Sequence, residues 1–249
     1  MIPEFPRVVV LTGPYGSGKT ELAILLALRE RDKHGAEQRV ALADLDVLKP
    51  YFRCREANDA LRGLGVQVIA PGGALANSDL PIVTAELRGA LQHSDVRMFI
   101  DVGGDPVGAR ALGSVSDVVA AADHEILLVL NRNRPFMDGL DQVLETVHQI
   151  EAASHLSISA LVSNTHMMEL TTLDDVHSGW ELTTAVAREL GVPIRMVAIP
   201  EHLAEAFVPT QDMACVVVVR RWMKPSFMGG VVLAPPRPSS GVQDRSDSK

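Results

Sequence analysis

Seven apolar runs punctuate the chain, at 7–12, 38–43, 66–70, 96–102, 125–130, 158–163 and 194–199, each of the length of a buried strand. Most of the segments between them carry apolar positions at helical spacing. Leu22, Leu25 and Leu26 form one stripe, which gives way to the polar Glu30-Arg31-Asp32-Lys33. Leu80, Val83, Leu87 and Leu91 form a second, opened by Asn77-Ser78-Asp79 ahead of Pro81. Asp138 opens a third, with Leu140, Val143, Leu144, Val147 and Ile150 on its buried face. A fourth carries Leu182, Ala185, Val186 and Leu190 and stops at Gly191 and Pro193. Strand and helix alternate, which predicts an α/β domain with a mainly parallel central sheet and helices on both faces. Val216 to Val219, followed by Arg220-Arg221-Trp222-Met223-Lys224, reads as a closing strand with a basic end rather than a membrane-binding helix.

Composition narrows this picture. A chain of 249 residues with 47% hydrophobic content fits one α/β domain, taken as residues 1–234. Residues 235–249 are rich in Pro, Ser and charge, hold Val242 as their one apolar side chain, and are expected to be a disordered tail. The net charge of −8 argues against a general nucleic-acid-binding surface. Cys54 and Cys215 have no CxxC or Cys/His companion and the eight histidines show no metal spacing, so neither a disulfide framework nor a zinc site is signalled. A start without a secretory signal and the lack of any run long enough to span a bilayer complete the expectation of a soluble, cytoplasmic protein with no membrane span.

The chemistry is concentrated after the first strand. Val8-Val9-Val10-Leu11-Thr12 leads into Gly13-Pro14-Tyr15-Gly16-Ser17-Gly18-Lys19-Thr20, which matches the phosphate-binding loop GxxxxGK[ST] at every fixed position. The loop needs glycine so that successive N–H groups can turn inward, and the helix beginning near Lys19 aims its positive end at the bound anion. Gly13, Tyr15, Gly16, Ser17, Gly18, Lys19, Thr20 and Glu21 are therefore candidate nucleotide-binding residues. Lys19 is expected to reach the β- and γ-phosphates and Thr20 to hold Mg²⁺. Acidic residues are then required at the ends of neighbouring strands, and Asp44-Leu45-Asp46 and Asp101-Val102-Gly103-Gly104 supply them. Asp101 reads as the metal-associated acid, with Gly103 or Gly104 able to bring an N–H to the γ-phosphate. Asp44 is assigned to the metal shell and Asp46 to water positioning or general base, the two being interchangeable on sequence grounds. Asp105 before Pro106 reads as a helix cap.

These stretches, with Leu161-Val162-Ser163-Asn164 and Val197-Ala198-Ile199-Pro200-Glu201, come in the order found in the MinD/ParA-like P-loop ATPases, which the chain resembles over residues 7–210. TGPYGSGKTE, DLDVLKPYFRCRE, DVGGDPVGA, the NRPF within LNRNRPF and LVSNTH are similar to a bacterial group of the CobQ/CobB/MinD/ParA type without a settled cellular role. The resemblance implies a three-layer P-loop NTPase fold, ATP with Mg²⁺ as cofactors, Asn164 on the adenine edge, and Pro200-Glu201 packed against the base. Asn131 ends a strand and reads as a turn former at least as readily as a residue of the same crevice. MinD and ParA carry a further lysine at the position that Pro14 occupies here, which puts a lysine-locked dimer in doubt and leaves a homodimer of another kind open.

The expected function is a slow Mg²⁺-dependent ATPase acting as a nucleotide switch on a protein partner, with Lys19 and Asp46 as catalytic residues. An ATP-dependent small-molecule ligase or kinase like dethiobiotin synthetase is the alternative, with Arg53, Arg55 and Lys49-Pro50-Tyr51-Phe52 lining an acceptor site. A non-hydrolysing nucleotide sensor is the third reading. Arg53, Arg55, Arg132 and Arg134 read as solvated charges or as cations that neutralise phosphate. Guanine is disfavoured because Asn164-Thr165-His166-Met167 lacks both the lysine and the aspartate of an NKxD run.

Overall fold

The computed structural model describes residues 4–45, 58–69, 85–213 and 215–222. Among them, eight strands run β1 Val8–Thr12, β2 Arg39–Asp44, β3 Val66–Ile69, β4 Val96–Asp101, β5 His124–Leu130, β6 Ala160–Ser163, β7 Ile194–Pro200 and β8 Val216–Val219. The α-helices of the described residues are α1 Lys19–His34, α2 Asn58–Gly63, α3 Ala85–Gln92, α4 Pro106–Gly113, α5 Ser116–Ala120, α6 Leu140–Ser154 and α7 Leu173–Leu190. The strands form one sheet in the order β3-β2-β4-β1-β5-β6-β7-β8, and every adjacent pair is parallel.

Parallel strands covered on both sides need apolar residues on both faces, and the sequence runs meet that need. In β1, Val9 and Leu11 belong to one core with Leu22, Leu25 and Leu26 of α1, Leu61 of α2, Phe99 of β4 and Trp222 beyond β8. Val8 and Val10 point the other way, into a core with Leu87 and Leu91 of α3, Leu112 of α4, Val119 of α5, Val143 and Val147 of α6 and Val186 of α7. A smaller cluster joins Val176 of α7 to Val197 and Ile199 of β7, Phe207 and Met213. The three-layer α/β arrangement is the one expected from the sequence.

Helix ends follow local chemistry. The Asp105 carboxylate accepts from the Val107 and Gly108 N–H groups at 2.9 and 3.1 Å, with Pro106 in the first turn, so Asp105 is the cap of α4. Thr172 and Asp175 form a reciprocal capping box on α7, which starts well before Leu182 and ends at a left-handed Gly191. Asp138 does not open α6: the cap position is Gly139, in extended conformation, and the helix begins at Leu140. The segment 77–84, Cys54, Arg53, Arg55, Asp46 and the tail 235–249 lie outside the described residues. Among the described residues no helix is long and apolar enough to cross a membrane.

Two features of this topology place the functional loop. β1 is central, flanked by β4 and β5, and the chain leaves it towards β2 on one side and later crosses it from β4 to β5 on the other. A crevice therefore opens beyond the carboxyl end of β1, where parallel sheets bind their ligands. Into that crevice the 13–20 loop fits with almost no slack, because a Cβ on Gly104 would overlap the Gly13 carbonyl. Gly104→Ala should therefore push backbone against backbone, costing roughly 1–3 kcal/mol and lowering the melting temperature by roughly 5 °C, with a matching loss of ligand affinity. A calorimetric scan of the variant with unchanged melting would remove this constraint.

Candidate functional site

The 13–20 loop joins β1 to α1 and turns through left-handed backbone at Gly16 (φ 73°) and Gly18 (φ 87°), the latter being the N-cap of α1. No side-chain hydrogen bond caps α1 at Gly18 among the described residues, and the first N–H groups of a helix have no partner within it. Lys19 is buried, 4% exposed, and its ammonium donates to the Pro14 carbonyl at 3.2 Å. No carboxylate among the described residues pairs with it. A buried cation held only by a carbonyl is costly unless an anion completes the site.

Acidic residues stand beside it as expected. Asp44 and Asp101 end β2 and β4 as direct register partners, and both are buried. The Thr20 hydroxyl donates to Asp101 Oδ2 at 2.5 Å. A hydroxyl and two carboxylates are hard oxygen donors of the kind Mg²⁺ takes alongside phosphate and water, so the set fits that ion, with Thr20, Asp101 and Asp44 as the residues that would hold or surround it. Among the described residues no group of three or more His, Cys, Asp or Glu is placed to hold a metal ion.

A pocket of about 590 Å³ opens over the loop, within the range of small-molecule sites. Tyr15, Gly16, Gly18, Lys19, Thr20, Glu21, Asn164, Pro200 and Glu201, all expected from sequence, line it. Gly13, Ser17, Asp44 and Asp101 do not. Gly13 is the loop's root, Ser17 is fully buried, and Asp101 reaches the pocket through Thr20. Asn164 donates to the Ser17 carbonyl at 2.6 Å, so its amide nitrogen steadies the phosphate loop. Glu21 accepts the Trp222 N–H at 2.7 Å, and Glu201 pairs with Arg220.

The opposite wall is not marked by any motif in the sequence. His166, Met168, Glu169, His202, Val219 and Arg221 line the pocket, and Arg221 pairs with Glu169 at 3.0 Å. These residues come from the loop after β6, the turn after β7 and the end of β8, and no short motif links them. Arg134 also lines the pocket, with its Nε donating to the Gly16 carbonyl at 2.8 Å. Asn131 is fully buried: its amide nitrogen donates to the Gly16 and His166 carbonyls at 3.2 and 3.1 Å. Its Oδ1 accepts the Asn133 and His166 N–H groups at 3.0 and 3.2 Å. The bond to the Asn133 N–H, two residues on, is that of the turn former expected at Asn131, and the bonds to Gly16 and His166 add a tie between three loops.

Burial, with the nearby Arg134 and Arg221 charges, pushes the His166 imidazole down to about 4 from the ordinary 6.5. Between these values the unfolded chain binds the proton and the folded one does not. Stability is therefore intact above pH 6.5 and falls as the pH drops towards 4, by up to about 3 kcal/mol from this group. Thermal melts across this window should show His166→Gln losing less stability on acidification than the wild type; identical slopes would contradict the shift.

The strand–loop–helix, the acid beside the loop's threonine and the parallel order around β1 together define a P-loop NTPase fold. No protein-family model matches the chain, and no curated protein sequence does. Solved structures do. FtsY from Thermotoga maritima, described as a cell division protein, superposes with a TM-score of 0.51 at 24% identity, over 79% of this chain and 63% of that one. FtsY from Mycoplasma mycoides gives 0.50 at 18% identity, over 77% and 59%. The signal recognition particle receptor FtsY from Elizabethkingia anophelis in complex with GDP gives 0.50 at 22% identity, over 80% and 58%. The chain thus spans about three fifths of the length of these proteins, and at such identities the likeness is one of fold. These neighbours carry the P-loop fold without lending support to the MinD/ParA resemblance in particular.

Proposed function

We propose that this chain is a Mg²⁺-dependent nucleoside-triphosphate switch, hydrolysing slowly and signalling its bound state to a protein partner. The observation that carries the reading is the buried Lys19 in a complete phosphate loop, paired with no carboxylate among the described residues, with Thr20 and Asp101 in contact beside it. The pocket beyond the loop has room for a nucleoside. Lys19 would neutralise the phosphates, the α1 terminus would bind them through N–H groups, and bound Mg²⁺ would supply charge stabilisation at the β- and γ-oxygens. Thr20 and Asp101 would orient the ion's shell. Asp46, the proposed water-positioning residue, lies outside the described residues.

ATP is the first choice of nucleotide, because the loop after β6 lacks the lysine and aspartate that grip guanine in NKxD proteins. GTP is the second, favoured by the fold likeness to an FtsY receptor described in complex with GDP. Phosphate release from each triphosphate, with and without Mg²⁺, tests the proposal. Slow Mg²⁺-dependent release of either supports it, and the preferred base decides between the two. Release from neither, even with millimolar nucleotide and Mg²⁺, counts against hydrolysis and leaves a sensor.

A further inference from the structure

The phosphate loop carries a second cation that no motif requires. Arg134 lines the same pocket as Lys19, and no carboxylate among the described residues pairs with it. Its Nε is spent on the Gly16 carbonyl, while Lys19 Nζ sits on the Pro14 carbonyl. The two positive groups therefore bracket one stretch, Pro14 to Gly16, of the loop whose N–H groups cradle phosphate.

The placement is built rather than incidental. The Arg134 N–H donates to the Asn131 carbonyl at 3.1 Å, and its own carbonyl accepts from Met137, whose side chain is buried. Asn133 donates to Asp175 at the start of α7 at 2.8 Å, and the Arg132 N–H donates to Thr165 Oγ1 at 3.0 Å. Asn131, at the root of this turn, is itself bonded to Gly16. The loop after β5 is thus fastened to the phosphate loop, to α7 and to the loop after β6. Arg134 meets the nucleotide already oriented, and preorganised charge is the kind that acts on a transition state. Arg221 is paired with Glu169, so Lys19 and Arg134 are the lysine and arginine side chains lining the pocket that no carboxylate among the described residues pairs with.

We infer that Arg134 is an arginine supplied in cis to the terminal phosphates of the bound triphosphate, balancing the charge that develops on hydrolysis. The inference rests on the nucleotide reading proposed above. It assigns to this chain a group that many nucleotide switches take from a partner. The guanidinium's remaining N–H groups contact the β–γ region, while Nε keeps its hold on Gly16. No covalent step passes through Arg134: water attacks the γ-phosphorus, the β–γ bridging bond breaks, and inorganic phosphate and the diphosphate leave.

The test uses the full chain and two variants, Arg134→Gln and Arg134→Lys. Glutamine keeps a donor for the Gly16 carbonyl without the charge; lysine keeps the charge. Binding is read by displacement of a fluorescent diphosphate analogue by ADP, ATP, GDP and GTP, and hydrolysis by single-turnover phosphate release. Arg134→Gln should leave diphosphate affinity within about 3-fold, weaken triphosphate binding about 10-fold, and slow hydrolysis on the order of 100-fold. It should also fail to trap the diphosphate with tetrafluoroaluminate. Arg134→Lys should recover part of the triphosphate affinity, and both variants should melt within about 2 °C of the wild type. Equal turnover and trapping by wild type and Arg134→Gln would overturn the inference while leaving the nucleotide reading in place, and so would losses that are the same for di- and triphosphate. If the wild type binds no Mg²⁺-nucleotide, the nucleotide reading and this inference fall together.

Discussion

Lys19→Ala lowers the affinity for Mg²⁺-triphosphate by about 100-fold, close to 3 kcal/mol, and does so without unfolding the protein. Both halves of this expectation follow from one geometry. The ammonium is 4% exposed, bonded to the Pro14 carbonyl, and without a carboxylate among the described residues, so in the ligand-free protein it is a desolvated charge with weak compensation. Removing it takes away the main cation for the β- and γ-phosphates. The same removal relieves a buried charge, so the melting temperature of the ligand-free variant should equal or exceed that of the wild type. In the presence of saturating nucleotide the order should invert, since only the wild type gains the stabilisation of binding, near 2.7 kcal/mol at a ligand concentration of about 100 Kd. Paired melts with and without nucleotide read both effects. A variant that melts early without ligand would make Lys19 a structural residue.

Phe99→Ala has the largest expected effect on stability. Phe99 lies mid-strand in β4, is 1% exposed, and sits in register between Val9 of β1 and Leu42 of β2. It joins the core beneath α1, two residues before Asp101 on the same strand. Truncating a ring in so enclosed a place loses transfer free energy and leaves a cavity, together about 3–5 kcal/mol. Against a total of about 5–15 kcal/mol that is a large share, and the melting temperature should fall by roughly 10 °C or more. Because α1 and β4 carry Thr20 and Asp101 respectively, the Mg²⁺ dependence of nucleotide binding should weaken as well. Leu170, 78% exposed, is the matched control: Leu170→Ala should stay within about 0.5 kcal/mol of the wild type in chemical denaturation. Equal effects at the two positions would contradict the assignment of the core.

The strands were legible because a parallel strand buried on both faces is written as an unbroken apolar run, which survives in the one-dimensional sequence. The expected 96–102 and observed Val96–Asp101, or 194–199 and Ile194–Pro200, differ by a residue at an end. The phosphate loop was legible for a different reason. Its backbone geometry restricts residue choice at consecutive positions, so chemistry and spacing coincide. Sheet order carries no such local record: that β8 runs parallel to β7 at the end of the sheet is written in neither strand alone. The outer wall of the pocket was hidden for the same reason. Arg221 finds Glu169 across 52 positions, and Trp222 finds Glu21 across 201. Asn131 and Asn164 stand out in the sequence as polar ends of apolar strands, but their bonds to the Gly16 and Ser17 carbonyls need the loops to be folded together first.

The central claim, that this loop binds the phosphates of a Mg²⁺-nucleoside triphosphate, is tested most directly by isothermal titration of ATP and GTP into the wild-type protein, with Mg²⁺ and with EDTA. The account predicts saturable one-to-one binding of one purine nucleotide, weakened by EDTA and reduced about 100-fold in Lys19→Ala. Absence of heat at millimolar nucleotide, or binding indifferent to both Mg²⁺ and Lys19, would contradict it.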